Sequence, residues 1–160
     1  MKDNTFILDA CCGGRHWWFD KDNKNTIYMD IRSEPKGTIK LQTNWSVEPD
    51  VIASYCEMPF EDQSFNLIAW DIPHKLKNDS GIISKKYGYL GDNWKQNTSK
   101  GFEECFRVLK DKGVLIFKFN DLDVSFKEVL SLFPIRPLFG TPTKKGVNNT
   151  AFFVFIKVIK

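Results

Sequence analysis

The residues of this sequence best suited to chemistry are a few acids, glycines and a histidine at the ends of short apolar runs. Asp9 opens the turn DACCGGRH, in which Gly13 and Gly14 can bring bare backbone close to a ligand. That turn lacks the spaced glycines of the dinucleotide fingerprint, which argues against a nicotinamide enzyme. Asp30 lies about twenty residues further on, where a carboxylate can accept hydrogen bonds from both hydroxyls of a ribose. Ser54 and Tyr55 end a third run, and Asp71-Ile72-Pro73-His74 follows a fourth. Asp71 and the Ile72 carbonyl can hold the hydrogens of an amino group so that its nitrogen lone pair is aligned for attack, and His74 can stack on the substrate or take a proton afterwards. Each feature also has a structural alternative: a strand-to-helix turn needing positive φ, a solvated acid at a strand end, a loop histidine satisfying a backbone group.

The elements that must position these groups follow from periodicity. Residues 6–10 (FILDA), 26–31 (TIYMDI), 51–55 (VIASY) and 65–70 (FNLIAW) are near-continuous apolar runs, as expected of parallel strands covered on both faces. Between the first two runs, His16, Trp17, Trp18 and Phe19 lie in a stretch with room only for a short helix, the rings serving as core and cavity wall. Pro35, Gly37 and Pro49 interrupt residues 32–50, so no crossover helix is expected there, and TIKLQT reads as a short strand or extended loop. Residues 75–92 show no sustained period and read as a mobile loop. Helical spacing returns in the second half of 93–110, with 111–113 as a stop before a strand at 114–119. Asp123 is the expected cap of a helix through 132. Runs at 135–139 and 150–159, joined across TPTKKGVNN, read as a terminal antiparallel hairpin. The expectation is one α/β domain spanning residues 1–160, a Rossmann-like, mostly parallel sheet with helices on both faces and one reversed strand. Ligands in such sheets bind beyond the carboxyl ends of the strands, where all the features above fall.

In that order these features resemble the class I S-adenosylmethionine-dependent methyltransferases, from residue 6 to about 119. The stretch SYCEMPFEDQSFNLIAWDIPH carries most of the resemblance, looking like the family's third-strand tail, turn, fourth strand and post-strand motif in unbroken order. The resemblance implies S-adenosylmethionine as cofactor. Its methionine part would lie at Asp9, Cys11, Gly13 and Gly14, its ribose at Asp30 and its adenine near Ser54 and Tyr55, with Asp71 beside the sulfonium. Where the family often has an acid for the adenine amino group, this chain has Ser54. DIPH resembles the Asp/Asn-Pro-Pro-aromatic motif of amino-group methyltransferases, with Ile72 in place of the first proline and His74 in place of the aromatic residue. It also looks like small phage and prophage methyltransferase-like proteins in which a histidine ends the motif. By this resemblance Asp71, Pro73 and His74 would be catalytic, and the acceptor would be an amino nitrogen of a nucleic-acid base. A small molecule or a protein is the alternative acceptor, and a cofactor- or partner-binding module without catalysis the alternative class.

Composition is compatible with each of these. The 160 residues include 42% apolar and 14% aromatic side chains, enough for one sizeable core, and the net charge of +3 is spread along the chain. Charge alone names no partner. Nucleic acid fits if Lys75, Lys77, Lys85, Lys86, Tyr87 and Tyr89 of the 75–92 loop close over the site, offering cations to phosphates and rings to bases; a solvated connector is the alternative. Lys118 and Asn120 point to the same edge. The four cysteines lack zinc-knuckle spacing, so no metal is expected, and with no secretory signature at the start they read as reduced thiols of a cytoplasmic protein. The longest apolar stretch, AFFVFIKVIK, is broken by lysine and far short of the ~20 residues that span a bilayer.

Overall fold

The structure, a computed structural model, describes residues 5–40, 42–141 and 148–159. Its strands are β1 (Ile7–Asp9), β2 (Thr26–Asp30), β3 (Val51–Ile52), β4 (Phe65–Asp71), β5 (Leu109–Asn120), β6 (Phe139–Gly140) and β7 (Thr150–Ile156). They form one sheet in the order β3-β2-β1-β4-β5-β7-β6. Pairing from β3 through β5 is parallel, and β7 is the reversed strand, antiparallel to both β5 and β6. The chain leaves β1 toward β2 on one side and later returns to β4 on the other. This places the switch in strand order at the carboxyl end of β1, between Asp30 and Asp71.

Among the described residues the helices are α1 (Ile82–Tyr87), α2 (Trp94–Val108) and α3 (Phe126–Leu130), all after β4. The short helix expected before β2 is absent; turns occupy that stretch. Asp20 and Asn23 accept the amide hydrogens of Asp22 and Asn25, two residues on, and these local bonds compete with a helical ladder. Of the three neighbouring aromatics, Phe19 is fully exposed rather than part of the core. Residues 32–50 likewise form turns around a small apolar cluster of Ile39, Trp45 and Val47, with a single bridge between Glu34 and Val47. The Arg15 guanidinium lies 3.8 Å above the Tyr28 ring and donates to the carbonyls of Lys21 and Glu48, joining the two turn regions.

Several boundaries differ from the sequence expectation. α2 passes directly into β5 at Leu109, because residues 110–113 bulge opposite Asn66 with Lys112 at φ +60° rather than ending the helix in a turn. α3 is capped by Ser125, whose Oγ accepts the Glu128 amide at 3.2 Å, not by Asp123. Asp123 instead accepts the Leu76 amide at 2.9 Å and pins the segment after β4. The hairpin's first strand shrinks to two residues, since Pro134 and Pro137 supply no amide hydrogen to a ladder. Most of its connecting loop, residues 142–147, lies outside the described residues. Residues 75–92, expected to be irregular, contain α1.

The core lies between the sheet and α2, which buries Trp94, Thr98, Gly101, Phe102, Cys105 and Val108 along one stripe. Trp70 is fully buried against Phe117, and Phe102 stacks on Phe133 at 4.3 Å. Burial of each such ring stabilises the fold by roughly 1.5–3 kcal/mol. Gly101 permits this approach: a Cβ there would stand 2.5 Å from Tyr55 Cδ2 and 2.7 Å from Trp70 Cζ2. Gly101→Ala is therefore expected to cost about 1–3 kcal/mol of stability in urea denaturation, the price of overpacking, and to displace the Tyr55 ring. An unchanged midpoint would contradict the tight packing. Among the described residues no helix is long and apolar enough to cross a membrane.

Candidate active site

A cavity of about 600 Å³ opens at the carboxyl edge of β1, β2 and β4. It is within the size range of small-molecule sites. Of the residues singled out in the sequence, Cys11, Gly13, Gly14, Asp30, Ser54, Tyr55, Asp71, Pro73 and His74 line it together.

Asp9 does not line the cavity. Its carboxylate is completely buried behind the first turn, where Oδ2 accepts the Trp18 Nε1 hydrogen at 2.6 Å and Oδ1 accepts the Cys11 amide at 3.3 Å. Burial raises its pKa from 3.8 to about 7, against the downward pull of those two bonds. Asp9 thus holds the turn in place from behind.

Asp30 ends β2 and organises the near wall. Its Oδ2 accepts the Gly13 amide at 2.9 Å, and its Oδ1 accepts the Arg32 amide at 3.0 Å and Nε at 3.4 Å. Gly13 adopts φ +46°, a left-handed conformation that suits glycine, and a Cβ placed on it would meet nothing within 4 Å. Ser54 Oγ accepts the Cys56 amide at 3.1 Å and so keeps its own hydrogen to donate, while Tyr55 packs edge-on against Trp70. Asn97 of α2 joins this wall.

Asp71 and Lys118 are register partners on β4 and β5, and their side chains form an ion pair through Oδ2. Burial raises the Asp71 pKa while Lys118 opposes the rise. The other oxygen, Oδ1, is buried with no hydrogen-bond partner among the described residues. Burial lowers the pKa of His74, leaving its ring neutral above its ordinary value of 6.5. His74 packs edge-on against Phe119 and faces Tyr87, which also meets His16 edge-on. Lys118 Nζ lies 5.5 Å from the Trp17 ring, which stacks on Phe152.

Sequence reasoning missed Arg32, His16, Asn97 and Thr150 as lining residues, and missed Trp18 as the partner of Asp9. The positions of Arg32, two residues beyond the strand-ending acid, and of His16, two beyond Gly14, were usable signals, whereas Asn97 and Thr150 arrive from elements distant in sequence. The cysteines at the site are free thiols, and burial pushes Cys11 and Cys12 well above the ordinary thiol pKa, so they present neutral surface.

No protein-family model matches the chain. An uncharacterized protein of Methanocaldococcus jannaschii is 28% identical over 174 aligned positions, covering 99% of this chain. The chain spans 59% of the length of that relative. Among solved structures, a SAM-dependent methyltransferase from Methanosarcina mazei aligns with a TM-score of 0.56 at 16% identity, covering 100% of this chain and 95% of its own. A TehB-like SAM-dependent methyltransferase from Corynebacterium glutamicum gives 0.56 at 16% identity, covering 96% of this chain and 80% of its own. A Pyrococcus horikoshii protein gives 0.58 at 17% identity, covering 98% of this chain and 83% of its own. At these identities the likeness is one of fold, and the chain has the Rossmann-like fold of the class I S-adenosylmethionine-dependent methyltransferases.

Proposed function

We propose that this protein binds S-adenosylmethionine in the cavity and transfers its methyl group to an uncharged amino nitrogen, the exocyclic amine of a nucleic-acid base being the acceptor we favour. The observation that carries the proposal is the placement of Asp30 and Asp71 in the lining of one cavity at the switch in strand order.

The residues present fit the cofactor. A carboxylate has about four lone-pair sites, and three donors already use Asp30, which leaves capacity for a ribose hydroxyl. The open space at Gly13 suits the methionine part, and Ser54, Tyr55 and Asn97 form a wall for the adenine. When bound, the cofactor supplies an electrophilic methyl group on a sulfonium whose departing thioether is neutral.

The chain's own residues then have an orienting task. The Asp71 carboxylate accepts an amino hydrogen and so turns the nitrogen lone pair toward the methyl group. The Ile72 carbonyl already has the His74 ring as a hydrogen-bond partner. Neutral His74 flanks the acceptor and can take the proton released after transfer. Because Lys118 already balances the Asp71 charge, the site offers no net attraction to a protonated amine. The rings of Trp17, Tyr87 and Tyr89 line the same cavity and suit a flat acceptor.

The reading is tested by titrating the protein with S-adenosylmethionine and with S-adenosylhomocysteine by calorimetry, followed by radiolabelled methyl transfer to DNA, RNA, peptide and metabolite panels. Binding plus labelling of a base amine, abolished in Asp71→Ala, is the expected result. Absence of binding by folded protein would overturn it, and binding without labelling of any panel would support a cofactor-binding module instead.

The ion pair makes a further expectation. Lys118→Met removes the cation that opposes protonation of Asp71, so the Asp71 titration followed by carboxyl carbon NMR moves to higher pH. A midpoint that stays or falls would contradict the pairing.

A further inference from the structure

The end of α1 and the strap that follows it line the cavity at Tyr87, Gly88, Tyr89 and Leu90. Leu90 anchors this strap in the core, its amide donating to the Lys75 carbonyl at 2.8 Å, but little apolar burial holds α1 itself. α1 has six residues, of which only Ser84 is buried, while Ile82 and Ile83 remain exposed. A helix so short does not persist by its own propensity. Its front end is tied by Asp79, whose Oδ1 accepts from the Gly81 amide at 3.0 Å and the Ser84 hydroxyl at 2.6 Å. At its far end the last carbonyls lack intrahelical donors, and the Arg32 guanidinium supplies them: Nη1 reaches the Lys85 carbonyl at 3.3 Å, and Nη1 and Nη2 both reach the Lys86 carbonyl at 3.4 Å.

The same guanidinium carries Nε, which donates to Asp30. One side chain therefore touches both the acid of the first wall and the end of the strap that brings Tyr87 against His16 and His74. The geometry points to Arg32 as a positioning residue that latches the strap to Asp30 and links ligand binding at Asp30 to closure over the acceptor side. The link to a ligand rests on the proposed S-adenosylmethionine site; the latch itself does not. A rigid planar fork is needed, because three acceptors on two elements must be met at once.

The strap contains its own reporter, since Lys85 and Lys86 follow each other at the latched end. Cutting of the full chain by a lysine-specific endoproteinase, followed by mass spectrometry, measures how often the strap opens. Arg32→Gln is expected to speed cutting after Lys85 and Lys86 about tenfold, with cutting after Lys24, in the exposed turn before β2, unchanged. Arg32→Gln adds and removes no lysine. Cutting after Lys85 and Lys86 at the wild-type rate would overturn the latch. So would equal acceleration at Lys24, which would mean that Arg32 holds the fold rather than the strap.

Adding S-adenosylhomocysteine tests the link. It is expected to slow cutting at the strap in the wild type but not in Arg32→Gln, and to leave the variant about tenfold faster with little change in association rate. Calorimetric binding without slower cutting in the wild type would overturn the link. Failure of S-adenosylhomocysteine to bind at all would refute the cofactor reading, while the comparison without ligand still decides the latch.

Discussion

Asp30→Ala is expected to weaken S-adenosylmethionine binding by about 100-fold or more while leaving a folded protein. The carboxylate holds the Gly13 amide at 2.9 Å and the Arg32 amide at 3.0 Å, so its loss removes the acceptor proposed for the ribose and loosens the turn that shapes the adjoining wall. Hydrogen bonds to charged groups contribute roughly 1.5–3 kcal/mol each, and losing one to the ligand together with one that orders the site costs about 3 kcal/mol. That is about two orders of magnitude in Kd. Asp30→Asn retains one oxygen acceptor and should fall between the two. Calorimetry decides the matter, with circular dichroism confirming that the variants fold; a Kd within threefold of wild type would remove Asp30 from the cofactor site.

The second large effect concerns stability and reverses the usual expectation for a deleted acid. Folding raises the Asp9 pKa from 3.8 to about 7. Between those values the folded state keeps a proton that the unfolded state has released, so this group's contribution to stability falls as pH rises through that window and stays low above it. The whole shift corresponds to about 4 kcal/mol at 1.36 kcal/mol per unit. Asp9→Asn removes the titration, although it exchanges one acceptor oxygen for an amide nitrogen. Relative to wild type, the Asn variant is expected to gain about 3 kcal/mol between pH 5 and pH 8 in urea denaturation. The double difference cancels the hydrogen bond lost at both pH values. A stability difference that does not change with pH would show that Asp9 titrates normally and that the turn is braced in some other way. Cofactor binding by this variant tests the placement behind the wall: Asp9→Asn should weaken it far less than Asp30→Ala.

Asp9 and Asp30 also show how far residue types carry an argument. Both end apolar runs and both resemble cofactor contacts, yet only Asp30 reaches the cavity. The difference is Trp18, whose indole occupies the inner carboxylate, and nothing in a linear spacing distinguishes an acid facing a ring from one facing a ligand. Arg32 illustrates the opposite case. Its place two residues after Asp30 points to that acid as a partner, but its acceptors at residues 85 and 86 lie more than fifty positions away.

Local chemistry was sufficient for β1, β2 and β4, though not for the lengths of β3, β5 and β6. Apolar, β-branched runs ending in acids determined where β1, β2 and β4 lie, and hence that Asp30, Ser54 and Asp71 share the carboxyl edge of a mostly parallel sheet. Helix ends and turns were less legible, because alternatives of similar energy compete there. Ser125 displaced Asp123 as cap, and side-chain bonds from Asp20 and Asn23 replaced a helix with turns. What only the tertiary structure decided is the electrostatic state and enclosure of the site: the burial that raises Asp9, the pairing of Asp71 with Lys118 across adjacent strands, and the strap held by Arg32. These depend on desolvation and on meetings between distant segments, which arise only when the sheet brings its edge residues together.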